Sequence, residues 1–586
     1  MRQPQKKRSS EFSLPKKILF YAITISIPFL FLLAVEGILR STNYKGNLDL
    51  FKGIDVYGTN YMIPNPNFTA RYFFYTKTIP TPSQDAFLKE KPDNGFRIFT
   101  IGGSSAAGYP YGYNAMFSRV VQDILADAMP DKTVEVVNVA TSAINTYTLY
   151  DQVDEILQYE PDAILMYAGH NEFYGALGVG SNENLGAFPV FVRAYLKLQQ
   201  FKTFLLLRTV IVESTSWVAS LFNDNQDRES GTLMKRIVSE RSIPYKSDTY
   251  QMAMNQFESN TRKIISLFSD KKIPVYVGSV MSNLRNHAPF ESINEGRYPP
   301  ADEVFKQAGT LLESGDSTKA LEQFTLAKDL DALKFRAPSD INKLIEQICR
   351  STSAYYVSSK EVLSKNAKNG IPGDDLFLEH LHPNEDGYFL IGKVFSEDLI
   401  DHMSDDMFEG RPENLESYRG KRYLSEYDNR VAWHRVRVLK YSWPFVKAGE
   451  EPPEKVMYEP KNAADSLAFL TVNDKLTWEK AKVQLGGFYE SKGLDEKALY
   501  EYEGLIRNQP WNHSPYLYAA RLLLKHNKLN RAKPYLEAAY KINPQNAYAN
   551  KMLGAIAVNN GNLDKAIELL ETAKTMIPDD PQMLYN

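Results

Sequence analysis

The sequence predicts an α/β protein: a three-layer α/β/α domain with a parallel sheet, followed by an all-α solenoid and preceded by one transmembrane helix. Three observations support this prediction. Between residues 96 and 404, strand-like apolar runs end in short motifs of Gly, Ser, Asn and His. From residue 476 onward, small residues and prolines recur every 34 residues. Near the N-terminus, an apolar run follows a basic segment.

The N-terminal segment has the pattern of a membrane anchor. Residues 1–17 carry six Lys or Arg side chains and one acid, and the apolar run from Ile18 to Val35 follows. This run is near the lower length limit for a membrane span, and its basic flank should remain cytoplasmic. We therefore expect a cytoplasmic tail (1–17), a single signal-anchor helix (18–39) and a periplasmic or extracellular remainder in a bacterium.

Two alternatives to the anchor remain open. A cleaved signal peptide is disfavoured, because Ala34-Val35-Glu36 is a poor small-x-small cleavage site. A buried N-terminal helix is the other alternative.

Composition excludes some classes of protein. Cys349 is the single cysteine among 586 residues, which excludes an intrachain disulfide framework. The formal net charge of −3 provides no global basic field for a nucleic acid. We therefore expect no nucleic-acid partner.

Two less regular segments flank the central domain. Residues 40–95 are rich in aromatic residues and proline, and we expect an extended arm packed on the central domain, because disordered tethers contain few aromatic residues. Residues 405–475 are charged and rich in tyrosine, with two adjacent prolines in the middle. We interpret them as a partly helical bridge to the C-terminal repeats.

Three short motifs in the central segment together indicate serine acyl-transfer chemistry. They are Gly-Gly-Ser-Ser-Ala-Ala-Gly at 102–108, Gly-His-Asn-Glu at 169–172 and Glu-His-Leu-His-Pro at 379–383. The first two follow strand-like apolar runs, and the third precedes a helical stretch that begins near Asn384. In an α/β fold, such positions expose polar side chains at one edge of the sheet.

Each motif supplies one part of an activated serine. Ser104 is the candidate nucleophile. A serine hydroxyl attacks only when a base removes its proton, so the site must also supply a base. His382 is the candidate base, and Glu379, three residues upstream, can orient its ring. Asn171 can donate its amide to an oxyanion, as can N–H groups of a strand-to-helix turn at Ser104. Pro383 suits the first position of the following helix.

With these motifs, the segment from about residue 90 to 404 resembles the SGNH (GDSL-like) hydrolase family, which is named for a Ser, a Gly, an Asn and a His in four sequence blocks. Ser104, Asn171 and His382 match the first, third and fourth blocks, and residues 138–143 are the best local match to the second. The resemblance implies an SGNH hydrolase-like domain at 96–404.

Three positions depart from the family pattern. Gly103 and Glu379 each replace the usual Asp, and Ala143 stands in place of the oxyanion glycine. The resemblance implies that the N–H groups of Ser104 and Ala143 hold the oxyanion together with Asn171. If the backbone at Ala143 has a positive φ, an alanine there costs about 1 kcal/mol or more.

Histidines near the third motif raise the question of a metal. A zinc site made of Glu379, His380 and His382 is disfavoured, because histidines at positions i and i+2 should point apart. We interpret His170 in the second motif as a structural hydrogen-bonding residue. We therefore expect neither a metal nor an organic cofactor.

An insertion within the hydrolase-like segment has the pattern of one helical repeat. In residues 301–334, Gly315, Ala320, Phe324 and Ala327 occupy repeat-like positions. A single repeat cannot bury its own apolar face, so we expect it to pack on the hydrolase-like domain or on the C-terminal array, as a wall or lid over the site.

Three polar residues near this insertion are candidates for substrate binding. Asn283, Arg285 and Arg336 are expected to line the pocket and contact an anionic or carbonyl group. A surface or inter-domain salt bridge is the alternative.

The C-terminal segment, residues 476–586, consists of three ungapped repeats. The recurring positions are Ala498/Ala532/Ala566, Pro510/Pro544/Pro578 and Gly486/Ala520/Gly554. This spacing resembles the tetratricopeptide repeat, in which two antiparallel helices form each unit; a generic helical bundle is the alternative. Such arrays commonly bind a protein partner, and we expect removal of residues 476–586 to spare small-ester hydrolysis.

These features predict a membrane-anchored serine esterase that acts on an ester-bearing carbohydrate or lipid outside the cytoplasm. An O-acyltransferase that transfers the acyl group to a polysaccharide would use the same residues. A non-catalytic scaffold with a hydrolase-like ligand-binding domain is the alternative from another class. A complete Ser-His-carboxylate set argues against the scaffold.

Overall fold

The N-terminal apolar run forms one long helix, α1 (Leu14–Ser41). The structure, a computed structural model, describes residues 13–75, 79–83, 85–185, 188–222, 233–238, 242–294, 296–404, 407–408, 412, 414–447 and 458–578. Within this part of the chain, α1 is the one helix shown to be long and apolar enough to cross a membrane, and its apolar window is not buried by the protein. The alternative of a buried N-terminal helix is therefore wrong. Most of the expected basic tail, residues 1–12, lies outside the described residues.

The segment after α1 contains a small antiparallel sheet that the sequence analysis did not predict. Its strands are β1 (Phe51–Val56), β2 (Thr59–Pro64) and β3 (Phe87–Leu88). Phe51 and Phe87 pack against Phe99 of the central domain, with ring centroids 5.7 and 5.4 Å away. The aromatic residues of this segment therefore attach it to the domain, and two of its strands form a hairpin.

A five-stranded parallel sheet forms the centre of the protein. Its strands are β4 (Gly95–Gly102), β5 (Thr133–Asn138), β6 (Ala163–Tyr167), β7 (Val275–Gly278) and β8 (Tyr355–Val357). Their order is β5-β4-β6-β7-β8, and all neighbours are parallel. The strands are short and largely buried, as expected for a parallel sheet covered on both faces.

The helices of the central domain include those that cover both faces of the sheet and complete three layers. They are α2 (Phe117–Ala128), α3 (Thr146–Ile156), α4 (Pro189–Leu198), α5 (Lys202–Phe222), α6 (Leu233–Ile237), α7 (Asp248–Ser269), α8 (Ala301–Glu313), α9 (Ser317–Leu330), α10 (Ser339–Ser351), α11 (Ser359–Asn366) and α12 (Glu385–His402). Helices α2 and α12 pack together over one face, and α3, α7 and α10 form the other layer. The predicted α/β fold class is confirmed.

Helices α8 and α9 occupy the insertion that resembles one repeat. They form an antiparallel hairpin, and Ala308, Ala320 and Phe324 join the buried core of the central domain. Ala327 and Leu330 form a second contact with Tyr245. The hairpin is therefore packed against the domain that contains it.

The C-terminal third of the chain is helical. Its helices are α13 (Glu426–Lys440), α14 (Ala463–Val472), α15 (Trp478–Ser491), α16 (Asp495–Asn508), α17 (His513–Lys525), α18 (Leu529–Ile542), α19 (Ala547–Asn559) and α20 (Leu563–Met576). Helices α15–α20 form three antiparallel pairs that stack on one another. Small residues allow this close packing: a Cβ added at Gly486 would meet the Tyr502 ring at 2.4 Å. The predicted all-α solenoid is confirmed.

Candidate active site

The candidate site lies where the strand order of the parallel sheet reverses. The chain moves outward from β4 to β5 on one side and to β6 on the other, so loops after β4 and β6 separate at this point. In open α/β sheets, ligands bind at the carboxyl ends of the strands at such a position. Gly102 ends β4 opposite Tyr167 at the end of β6. The motifs that contain Ser104 and Asn171 therefore begin side by side.

Ser104, His382 and Glu379 form a hydrogen-bonded row. His382 Nε2 is 2.8 Å from Ser104 Oγ. His382 Nδ1 contacts a Glu379 carboxylate oxygen, and the same oxygen accepts the His382 backbone N–H at 3.0 Å. When Nδ1 carries the proton and donates it to Glu379, Nε2 is free to accept the serine proton. This is the geometry of a serine nucleophile with an oriented base.

Burial favours a neutral His382 ring. Glu379 is fully buried and His382 is 7% exposed, whereas Ser104 is only half-buried and reachable from solvent. Burial lowers the pKa of His382 below its ordinary value of 6.5, so the imidazole is neutral at neutral pH. The Tyr109 ring lies 4.6 Å from the His382 ring between centroids and covers part of it.

The Glu379 carboxylate contacts two imidazoles. His380 Nδ1 contacts the carboxylate oxygen that does not face His382, and burial lowers the pKa of His380. The expectation that the two rings point apart is wrong, because one ligand atom from each of the three groups lies within 4.8 Å of the others. They converge on a carboxylate that accepts from both rings, and His382 Nε2 is directed to Ser104. That the site needs no metal stays a prediction.

Two local expectations about the loops are corrected. The Ser104 turn does not lead directly into a helix, because α2 begins only at Phe117. A series of turns lies between them, and one of these is closed by the hydrogen bond from Tyr109 N–H to Ser104 O at 3.0 Å. Pro383 is not the first helical residue. Asn384 caps α12, and its side chain accepts the N–H groups of Asp386 and Gly387.

Asn171 is placed beside the nucleophile turn. A Cβ added at Gly103 would meet the Asn171 amide nitrogen at 2.6 Å, so the glycine allows the amide its close approach. Among the described residues, no group accepts a hydrogen bond from this amide nitrogen. Ser104 and Asn171 both line a small pocket at this edge of the sheet. The amide is thus available to a ligand.

Ala143 adopts a backbone conformation that suits the glycine it replaces. Its φ is +59°, which costs an L-residue about 1 kcal/mol or more. Its carbonyl accepts the Ala176 N–H at 2.9 Å, and the described residues offer no acceptor for its own N–H. Ala143 itself does not line the pocket, whereas Ile144 and Asn145 do.

Two buried polar residues support the site, and sequence reasoning assigned neither a role. Glu172 accepts the Thr146 N–H at 3.2 Å and the Thr146 hydroxyl at 2.7 Å, which joins the Asn171 loop to the start of α3. Burial raises the pKa of Glu172 to about 7. Asn138 donates to Ala106 O at 2.9 Å and so holds the loop that contains Ser104. The only signals in the sequence are the position of Glu172 in the second motif and that of Asn138 at the start of the 138–143 block.

The three side chains expected to contact substrate have protein partners instead. Arg336 is buried and donates to the carbonyls of Asn283 and His287 at 3.0 and 2.9 Å, beside Asp331. The Asn283 amide donates to Asp374 at 2.7 Å. Arg285 pairs with Asp375 at 2.6 Å. The structure does not support the pocket hypothesis for these residues; Arg336 fixes the 283–287 segment.

His170 has a structural contact. Its Nδ1 accepts the Ala337 N–H at 3.1 Å, which connects the second motif to the segment after α9. Burial lowers the pKa of His170 to about 3, so the ring is neutral.

Together, these features define an α/β domain with a Ser-His-Glu site at one edge of its parallel sheet, joined to an array of paired helices. Residues 523–585 match the tetratricopeptide repeat family. The TPR repeat-containing protein YpiA of Bacillus subtilis is 31% identical over 98 residues, which cover 17% of this chain and 23% of that protein. The chain thus spans about a quarter of the length of this curated relative.

The solved structures similar to this chain include lipases and esterases. A GDSL-like lipase from Bacteroides thetaiotaomicron is 12% identical, with 52% of this chain and 89% of that chain covered and a TM-score of 0.27. Axe2, an acetylxylan esterase from Geobacillus stearothermophilus, is 11% identical, with 53% and 96% covered and a TM-score of 0.26. A lipase/acylhydrolase from Enterococcus faecalis is 14% identical, with 53% and 97% covered and a TM-score of 0.26. The fold assignment depends on the chain's own sheet and helices.

Proposed function

We propose that the protein is a membrane-anchored serine esterase that acts on ester-bearing carbohydrates or lipids of the bacterial envelope. The observation that carries this proposal is the row from Ser104 Oγ through the His382 ring to the buried Glu379 carboxylate. Helix α1 supports the anchoring, with its N-terminus in the cytoplasm and the catalytic domain in the periplasm or outside the cell.

The proposed reaction begins with attack on an ester carbonyl. Ser104 Oγ forms a bond to the carbonyl carbon while His382 Nε2 takes the serine proton. Glu379 stabilises the imidazolium that results. The N–H groups of Ser104 and Ala143 and the Asn171 amide hold the oxyanion. His382 then protonates the leaving alkoxide, and an acyl-serine remains.

The acceptor of the acyl group defines the class of enzyme. Water gives an esterase; a sugar hydroxyl gives an O-acyltransferase with the same residues. We place the esterase first because Ser104 is reachable from solvent. The tetratricopeptide repeats are proposed to bind a protein partner, which would bring the hydrolase-like domain to its substrate.

A serine-directed fluorophosphonate should label Ser104. The serine oxygen forms a bond to phosphorus, fluoride leaves, and His382 receives the serine proton. We expect peptide mass spectrometry of the detergent-solubilised chain to locate the label at Ser104, and Ser104→Ala to abolish it. Absence of labelling in the folded protein would instead favour the non-catalytic scaffold.

The pH profile of this labelling should extend to acid. The reactive form has a neutral His382, and burial lowers the pKa of that imidazole, so the neutral form persists as the pH falls. An ordinary imidazole would halve the rate near pH 6.5. We expect the half-point of the rate against pH to lie clearly below that value; a half-point at or above it would show that burial does not dominate the electrostatics of the base.

A further inference from the structure

An apolar surface follows the outer sides of α4 and α5, beside the C-terminal end of α1. We call it the α4–α5 surface. Its large, exposed side chains are Phe188, Val190, Phe191, Leu198, Phe201, Leu207, Val210 and Ile211. Phe188 and Phe191 are 69% and 71% exposed. Large apolar side chains that are exposed together on neighbouring helices mark an interaction site.

The two helices are amphipathic: their inner faces pack on the central domain, and their outer faces carry the exposed apolar side chains. On α4, Val192 and Leu196 face the core and are buried. On α5, Leu205 is buried, and Arg208 donates to the carbonyl of Arg71 at 2.8 Å. The inner faces are therefore fixed to the domain. The outer residues of α5, at positions 207, 210 and 211, follow the helical spacing of one face.

The α4–α5 surface is continuous with the proposed membrane anchor. Glu36 near the end of α1 accepts the backbone N–H groups of Lys202 and Thr203 at 3.1 and 2.7 Å, which satisfies free donors in the first turn of α5. Arg40 donates to Glu36 at 2.7 Å and to Gln200 O at 3.0 Å. The start of α5 is thus attached to the C-terminal end of α1, where the chain would emerge from the bilayer.

Exposed cations accompany the apolar side chains. Lys197 of α4 is exposed and directly precedes Leu198, and Arg40 is 56% exposed at the junction with α1. Interfacial helices combine large apolar residues with Lys and Arg that attract anionic headgroups. A protein partner would not require the surface to adjoin the anchor, whereas a bilayer does.

We propose that the α4–α5 surface lies in the headgroup and outer acyl region of the same bilayer that α1 crosses, so that the hydrolase-like domain is fixed against the membrane at two places. This inference rests on the anchoring part of the proposed function. It does not depend on the serine chemistry.

The test uses single labels on the full chain in phosphatidylcholine–phosphatidylglycerol vesicles. Cys349→Ser removes the single native thiol. Phe191→Cys and Ile211→Cys report on the α4–α5 surface, Phe29→Cys reports on α1, and the matched control Lys574→Cys lies on exposed α20. Each thiol carries an NBD fluorophore. Iodide quenches it from water, and doxyl-phosphatidylcholine quenches it from the bilayer.

At positions 191 and 211, we expect strong doxyl-lipid quenching and an iodide quenching constant several-fold lower than at position 574. Iodide quenching equal to that at 574 would overturn the proposal, as would protection from both quenchers, which would mean that a protein or a second copy covers the surface. Lack of lipid quenching at position 29 would refute the anchor itself. Fluorophosphonate labelling of the same samples reports separately on the esterase.

Discussion

Ser104→Ala should lower kcat/KM for a short-chain aryl ester by about four to six orders of magnitude. Alanine removes the Oγ atom that lies 2.8 Å from His382 Nε2, and no acyl-serine can form without it. The measurement is p-nitrophenyl acetate hydrolysis by the detergent-solubilised full chain. Residual turnover would come from the oxyanion donors alone, because they remain in place.

The neighbouring serine supplies a matched control. Ser105 is buried, and its hydroxyl has no hydrogen-bond partner among the described residues. Ser105→Ala removes the same atom one position away from the nucleophile, and we expect the esterase rate to change less than tenfold. An equal loss in both variants would mean that the loop, rather than the Ser104 hydroxyl, accounts for the effect. Equal rates in Ser104→Ala and wild type would refute the proposed nucleophile.

The short sequence motifs were enough to predict the hydrogen-bonded set of Ser104, His382 and Glu379. Ser104 follows a strand, and His382 and Glu379 are only three positions apart, so short-range sequence patterns limit where these side chains can lie. The parallel sheet then brings the two motifs together over 278 residues. This long-range step was predictable because strands in such folds end at one edge.

The partners of buried polar residues were not predictable in the same way. Arg336 is of a residue type that often binds ligands, but its hydrogen-bond partners are the backbone carbonyls of Asn283 and His287, about 50 positions earlier in the chain. The two imidazoles near Glu379 illustrate the same limit. Periodicity in a regular helix or strand would separate them, whereas the irregular turn before α12 lets both reach one carboxylate.

The C-terminal repeats pack directly on the central domain, at α2 and the segment that precedes it. Arg507 of α16 donates to Asp123 of α2 at 2.5 Å and to Asn114 O at 2.8 Å. The Asn114 amide in turn donates to Gly504 O at 3.0 Å, and the Tyr113 ring lies 4.6 Å from the Trp478 ring. Periodicity predicts an independent module. These contacts instead make the first repeat a part of the central domain's packing.

Packing also connects the repeats to the Ser104 loop through α13. Arg435 donates to Pro110 O at 2.6 Å, within the loop that follows Ser104. On the same helix, Tyr427 and Val431 share a buried core with Trp478 and Leu485 of the first repeat. Removal of the repeats would uncover this core and leave α13 packed on α14 and the central domain alone. The support that α13 gives the Ser104 loop would then be weakened.

We therefore expect deletion of residues 476–586 to abolish esterase activity, contrary to the expectation from the repeat period alone. Loss of the Trp478 contacts and the Arg507 hydrogen bonds should lower the free energy of unfolding by about 5 kcal/mol, which is comparable with the whole stability of many domains. The measurement is the Tm and the p-nitrophenyl acetate rate of the solubilised variant.

Deletion of residues 543–586 is the matched control, because α19 and α20 pack on α18 and, within the described residues, make no substantial contact with the central domain. This shorter variant should keep the esterase rate, because it removes only the last repeat. If the longer deletion retained both the Tm of the central domain and its rate, the contacts of Arg507 and Trp478 would be dispensable and the repeats would be an independent module. If both deletions abolished activity equally, the array would act as one cooperative unit, since stacked repeats can unfold together.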